Sequence, residues 1–222
     1  MSQEQYVYIV GTSGFASEVT EYIEASKAFS IKGYFSKSEL EYQRYCFSAP
    51  FLGSENDYSF SKGDKVIVAI ANSDIRKKIT STLTEKGCEF PSFFSSLAFV
   101  GSRAEIGNGS ILCPYVTITA NAKIGANFHA NIYSYVAHDC ILGQNVTFAP
   151  GVKCNGNVEI GDDVYVGTNA VIFQGKMDRP LKIGRGAVIA AGSVVTKSVS
   201  ENTTVFGNPA IEFNRENIKR RS

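Results

Sequence analysis

From Val100 onward the chain carries an apolar or small residue at every sixth position: Val100, Ile106, Leu112, Ile118, Ile124, Ala130, Val136, Leu142, Phe148, Cys154, Ile160, Val166 and Ile172. A glycine follows directly at 101, 107, 125, 143, 161 and 167. After an interruption at KMDRP (176–180) the frame resumes at Ile183, Ile189 and Val195, five residues beyond one hexad. One inward aliphatic per six residues predicts a parallel β-helix, each hexad forming one flat face and three hexads a triangular coil. Small residues are expected to turn the corners. Because the frame survives on both sides of KMDRP, that segment is expected to bulge from a corner as a loop.

The first ninety or so residues follow a different period. YVYIV (6–10) is a short β-rich run, followed by the turn Gly11-Thr12-Ser13-Gly14. Phe15, Val19, Tyr22 and Ile23 then recur at helical spacing. IKGYF (31–35) and KVIVAI (65–70) read as further strands, and IRKKITSTLTEKG (75–87) as an amphipathic helix ending on a C-cap glycine. This order predicts a small parallel α/β domain of the Rossmann-like class over 1–95, ahead of a β-helix domain over 96–222. Sites in such sheets lie at the C-terminal strand ends, here the Gly11–Gly14 turn and Ala71-Asn72-Ser73.

Composition narrows the function classes. Lys and Arg number 22 against 21 Asp and Glu, which argues against a basic groove for nucleic acid. The basic run Lys219-Arg220-Arg221 at the C-terminus reads as a solvated tail. Five cysteines show neither a CxxC nor a zinc-type spacing, so no metal is expected. An odd thiol count without a signal segment, and no apolar stretch long enough to span a bilayer, fit a cytoplasmic chain with no membrane insertion.

One residue does not match the repeat. His138, one of only two histidines, sits beside Asp139 just past the core position Val136. One coil below it is Ala120 and one coil above is Gly156. An imidazole between two missing side chains occupies a notch, with the Gly156 N–H beside it. On the next position Asn121, Asp139 and Asn157 line up as a potential polar ladder, which in a β-helix also serves as a purely structural corner device.

Taken together, YIVGTSGFASEV (8–19), VAIANSDIRKKI (68–79), the hexads, AHDCILG (137–143), GAVIAAGSVV (186–195) and VFGNPA (205–210) resemble the hexapeptide-repeat acyltransferases. The chain is most similar to the sugar O- and N-acetyltransferases that join a small Rossmann-like domain to a left-handed β-helix. These include the sialic acid O-acetyltransferases and the bacterial nucleotide-4-amino-sugar N-acetyltransferases of the bacillosamine type. The resemblance implies acetyl-CoA as donor, a nucleotide-linked amino sugar as acceptor, and a homotrimer with active sites between subunits.

In that chemistry an amine or hydroxyl attacking a thioester must lose a proton, and a neutral imidazole can take it, which makes His138 the candidate general base. Asp139 is the candidate to orient the ring, although neighbours on a strand point to opposite faces, so a corner conformation must bring them together. The Gly156 N–H is the candidate donor to the developing oxyanion. By resemblance Asn131 stands where the amino-sugar enzymes have an active-site asparagine, and Thr147, Thr168 and Ala191 match acetyl-CoA contacts. At Thr147 the family has a second histidine. His129 does not replace it, lying nine positions before His138 rather than nine after, and reads as structural. Cys140 is close enough to consider as a nucleophile, yet direct transfer is the simpler expectation.

GTSG lacks the G-x-G-x-x-G order of dinucleotide sites, which disfavours a NAD-binding domain. The backbone N–H groups of Thr12, Ser13 and Gly14, next to Gly11, point instead to an anionic ligand at a helix start. In the resembling enzymes this turn holds the nucleotide sugar. Two departures bear on which one: Phe15 replaces a family histidine, and Ser36-Lys37 replaces an acidic pair that contacts the nucleotide. The reading is an acetyl-CoA-dependent N-acetyltransferase acting on a nucleotide-linked 4-amino-4,6-dideoxy sugar. The competing accounts are O-acetylation of a sialic acid and a non-catalytic β-helix used for assembly or ligand sensing.

Overall fold

The structure, a computed structural model, describes residues 5–219, so Arg220 and Arg221 of the basic tail lie outside the described residues. It forms two compact units divided between Ser96 and Leu97.

The first unit is a parallel α/β layer. Strand β1 (Tyr6–Val10) lies between β2 (Ser30–Phe35) and β3 (Val66–Val68), in the order β2-β1-β3. Both faces of the sheet are covered, so the strands read as near-continuous apolar runs: Val7, Ile9, Val10, Val66 and Ile67 are each no more than 2% exposed. Helix α1 (Gly14–Ser26) turns Ala16, Val19, Thr20 and Ile23 inward, while Phe15 and Tyr22 are only half-buried. A short helix that the periodicity did not predict, α2 (Glu39–Arg44), starts at Ser38, whose hydroxyl accepts from the Leu40 N–H at 3.3 Å. Helix α3 (Ser73–Glu85) begins at Asn72, whose side chain accepts from the Ile75 N–H at 3.0 Å, so the predicted Ala71–Ser73 turn serves as a cap.

The second unit is a left-handed parallel β-helix. Its three faces are visible in the pairing of stacked hexads. His129–Ala130 pairs with Ile111–Leu112 and Thr147–Phe148, and Tyr135–Val136 with Thr117–Ile118 and Lys153–Cys154. Ile141–Leu142 pairs with Lys123–Ile124 and Val158–Ile160. From Leu112 to Ile172 every sixth residue of the frame is buried, whereas Val100 and Ile106 in the first coil are half-buried. The frame shifts a second time after Val195, where Val199 and then Val205 take the inward positions.

Corners are turned in part by small residues, as expected: Gly109, Gly151, Gly186 and Gly192 take the left-handed position (φ from 65° to 74°). Where a glycine directly follows an inward residue, it is there for close stacking: a Cβ on Gly125 would lie 2.7 Å from the Gly143 carbonyl carbon. The turn itself falls two residues later, in the left-handed region, at Asn121, Asn127, Asp139, Asn145, Asn157, Asp163 and Asn169 (φ from 55° to 61°). Asn and Asp tolerate that conformation better than other side chains with a Cβ. Within one corner the amides then form a ladder, Asn127 donating to Asn145 at 3.1 Å and Asn145 to Asp163 at 3.0 Å.

Candidate active site at a β-helix corner

His138 and Asp139 occupy the corner between the Tyr135–Val136 and Ile141–Leu142 faces. Asp139 has φ of 60°, and this left-handed turn swings its carboxylate back beside the preceding ring. His138 Nδ1 lies 2.8 Å from Asp139 Oδ2. Adjacent residues therefore face one another because the chain is turning, where a continuing strand would have separated them. The other carboxylate oxygen, Oδ1, accepts from Asn121 Nδ2 at 2.9 Å, and Asn121 Oδ1 accepts in turn from Arg103 Nε at 2.9 Å. The Asn121 amide, the His138 ring and the Arg103 charge together hold the Asp139 carboxyl below its ordinary value. The upper rung differs from the expected ladder: the Asn157 amide turns away and donates to the Lys176 carbonyl.

With Nδ1 held, the remaining ring nitrogen Nε2 faces Gly156. A Cβ built on Gly156 would lie 2.6 Å from both Cε1 and Nε2, so any side chain there collides with the imidazole. The Gly156 carbonyl accepts from the Gly175 N–H at 3.0 Å, while its own N–H forms no hydrogen bond among the described residues. Both members of the pair keep about half of their side-chain surface in solvent, at 52% each. The corner thus presents an oriented imidazole nitrogen and a backbone donor side by side.

The 173–180 loop leaves the stack at this same corner. Gly175 and Lys176 bond to Gly156 and Asn157, and the chain closes on itself through Lys176 and Arg179. Sequence periodicity located the loop but did not connect it with His138. The Arg103 rung was equally readable, because Arg103 stands one coil below Asn121.

The other predicted residues lie elsewhere. Asn131 sits at a different corner and accepts from the Ile132 N–H at 2.7 Å. Thr168 and Ala191 are exposed at that corner too, in neighbouring coils. Thr147 is on a flat face and only 4% exposed. His129, next to it in register, is 2% exposed. Cys140 is fully buried, its thiol donating to the Asn155 carbonyl at 3.1 Å, which leaves it no access to a substrate.

In the first unit, Gly11, Thr12 and Ser13 line a cavity of about 580 Å³ with Phe35, Ser36, Lys37, Glu55 and Lys78. It opens at the C-terminal ends of β1 and β2, where a parallel sheet places its ligands. Ser13 is the N-cap of α1 but makes no side-chain cap hydrogen bond. Glu55 and Lys78 were not singled out from sequence, since a lone acid in a connecting segment and a lysine on a helix carry no pattern.

A left-handed β-helix with an oriented histidine and a backbone donor at one corner defines an acyltransferase of the hexapeptide-repeat class. Residues 6–83 match the PglD N-terminal domain, residues 121–156 the bacterial transferase hexapeptide (six repeats), and residues 157–197 the hexapeptide repeat of succinyl-transferase. The chain is 53% identical over 148 residues to GDP-perosamine N-acetyltransferase from Escherichia coli O157:H7, covering 67% of each chain. Among solved structures it is similar to WeeI from Acinetobacter baumannii AYE, with 42% identity and a TM-score of 0.84, covering 94% of this chain and 100% of that one. It is also similar to the acetyltransferase domain of PglB from Neisseria gonorrhoeae FA1090 in complex with acetyl coenzyme A. There the identity is 25% and the TM-score 0.82, covering 95% and 100%. The chain belongs to the sugar N-acetyltransferases that join a PglD-type N-terminal domain to hexapeptide repeats.

Proposed function

We propose that the chain transfers the acetyl group of acetyl-CoA to the amine of a nucleotide-linked 4-amino-4,6-dideoxy sugar, with GDP-perosamine as the acceptor. Perosamine is such a sugar, and the 53% identical relative supports guanosine diphosphate as the carrier. The observation that carries the reading is the His138 ring, fixed by Asp139 at 2.8 Å and backed by a glycine that leaves Nε2 open.

The neutral amine attacks the thioester carbonyl carbon while its proton passes to His138 Nε2. Asp139, kept ionised, stabilises the imidazolium that forms. The Gly156 N–H donates to the carbonyl oxygen as it gains charge, a contribution of about 3 kcal/mol for such a donor. Collapse breaks the C–S bond, and the imidazolium returns its proton to the leaving thiolate. No protein nucleophile is needed, in keeping with the buried Cys140.

Acetyl-CoA contacts are assigned to Gly156, Thr168 and Ala191, and sugar contacts to Asn131, while Thr147, only 4% exposed, lies too deep for the contact the resemblance implies. Thr168 and Ala191 stand at a different corner from His138, so one subunit cannot bring them together. A homotrimer, in which this corner of one subunit meets a neighbour, is the assembly that completes the site. Gly11, Thr12, Ser13 and Gly14 hold the nucleotide end of the acceptor. No helix among the described residues is long and apolar enough to cross a membrane, and the working location assigned is the cytoplasm, where acetyl-CoA and sugar nucleotides are available. A panel of GDP-, UDP- and dTDP-4-amino sugars with acetyl-CoA, read by thiol release, tests the reading. Turnover of a sialic acid with none of the amino sugars would transfer the assignment to O-acetylation.

A further inference from the structure

The cavity of the first unit contains a side chain that the fold does not explain. Glu55 is 4% exposed and lines the cavity, yet its carboxylate takes a single hydrogen bond among the described residues, from Asn56 Nδ2 at 3.2 Å. The nearby ammonium of Lys86 is spent on backbone instead, donating to the carbonyl oxygens of Glu55 at 3.0 Å and Asn56 at 2.8 Å. With the Asp57 N–H bonded to the Ser54 carbonyl at 3.1 Å, these contacts hold the 54–57 turn in place. Across the same cavity Thr12 is 1% exposed, and its hydroxyl has no hydrogen-bond partner among the described residues. Burying a carboxylate and a hydroxyl with unused bonding capacity is costly unless a ligand completes them. Phe35, Ile70 and Ile79 give the cavity apolar walls suited to a flat ring, and Lys37 and Lys78 give it cations suited to a diphosphate.

The chemistry of the carboxylate selects among bases. Guanine presents two adjacent donors, N1–H and the 2-amino group, which match the two oxygens of a carboxylate. Uracil and thymine present one N–H between two carbonyl oxygens, which a carboxylate repels. Adenine and cytosine each place a ring-nitrogen acceptor beside their amino group. Of the two carboxylates in the lining, Glu41 is exposed on α2 and Glu55 is the buried one.

We propose that Glu55 is the residue that reads the base of the acceptor, its carboxylate receiving the N1–H and 2-amino hydrogens of a guanine. The inference rests on the reading of the acceptor as a nucleoside-diphosphate sugar. It is tested by calorimetric titration of the full chain with GDP, IDP, UDP and dTDP. IDP differs from GDP only in lacking the 2-amino group. The wild type is expected to bind GDP about tenfold to a hundredfold more tightly than IDP, the range for losing one hydrogen bond to a charged group, with UDP and dTDP weaker still. In Glu55→Gln the amide oxygen still accepts from N1–H, but its NH2 group opposes the 2-amino group and favours a carbonyl. The variant should therefore lose affinity for GDP and gain it for xanthosine diphosphate, a reversal that a merely structural role cannot produce. Equal binding of GDP and IDP by the wild type overturns the assignment without requiring the variant to fold. Retained GDP preference in Glu55→Gln overturns it as well. Preference for UDP or dTDP, or no nucleotide binding at all, overturns it together with the GDP reading, and is recognised because GDP itself then fails.

Discussion

Replacing Gly156 with alanine isolates the claim that His138 works from a fixed position. The added Cβ would stand 2.6 Å from ring atoms Cε1 and Nε2 and 3.1 Å from Cδ2, and all three of its nearest contacts are with this ring. Carbon contacts are comfortable at about 3.5–4.0 Å, so the imidazole must retreat by about 1 Å. That retreat carries Nδ1 away from the Asp139 oxygen it meets at 2.8 Å. Displacement of a reacting group by about 1 Å costs on the order of a hundredfold, or about 2.7 kcal/mol of barrier. The fold should be spared. Gly156 is not among the residues with positive φ, and the ring is half in solvent, free to swing outward. Gly-to-Ala at a compatible position adds about 0.4–1 kcal/mol of stability through the unfolded chain. The expected outcome is kcat/KM for acetyl transfer down about a hundredfold, with the melting temperature unchanged or slightly raised. Activity within about threefold of wild type would mean that the position of the ring does not limit transfer, since a hundredfold loss is what the displaced ring entails.

Asp139→Asn keeps the shape but removes the charge that stabilises the imidazolium, and kcat should fall about tenfold to a hundredfold, measured by thiol release at saturating substrates. The same variant has a signature in stability. The folded Asp139 carboxyl titrates below its ordinary value of 3.8, so as the pH falls below that value the unfolded chain binds the proton first. Wild-type stability therefore declines as pH drops through the depressed value. The amide of the variant has nothing to titrate, so the decline measured by denaturant unfolding below about pH 4 should be shallower. Asn145→Ala, at another corner, removes a left-handed asparagine and both of its ladder bonds. It should cost about 3 kcal/mol by chemical denaturation, from two hydrogen bonds and an alanine forced into the left-handed region. Turnover per folded molecule should be unchanged.

How much of this was legible in the sequence depends on whether the physics repeats. The hexad frame is written thirteen times over, so the inward stripe, the faces and the bulging loop followed from spacing alone. Gly156 above His138 was legible for the same reason, because residues one coil apart must stack. The contact between His138 and Asp139 was not, since it depends on a φ of 60° at one residue, and Asp139 can be read equally as a corner device. Asn145 and Asp139 occupy equivalent corner positions; only the neighbours decide that one is a structural rung and the other faces an imidazole. Glu55 escaped entirely. Its meaning comes from a cavity assembled by strands, helices and a turn, and no local pattern carries that.

If this corner acetylates an amino sugar with His138 as the base, losing the imidazole must stop the transfer while the fold survives. Purified wild type and His138→Ala, incubated with acetyl-CoA and GDP-perosamine and followed by mass spectrometry of the sugar nucleotide, test it most directly. An N-acetylated product is expected with the wild type, and a rate about 10²–10⁴-fold lower with the folded variant. Product formed by the variant within about threefold of wild type would contradict it, since a general base contributes far more than that.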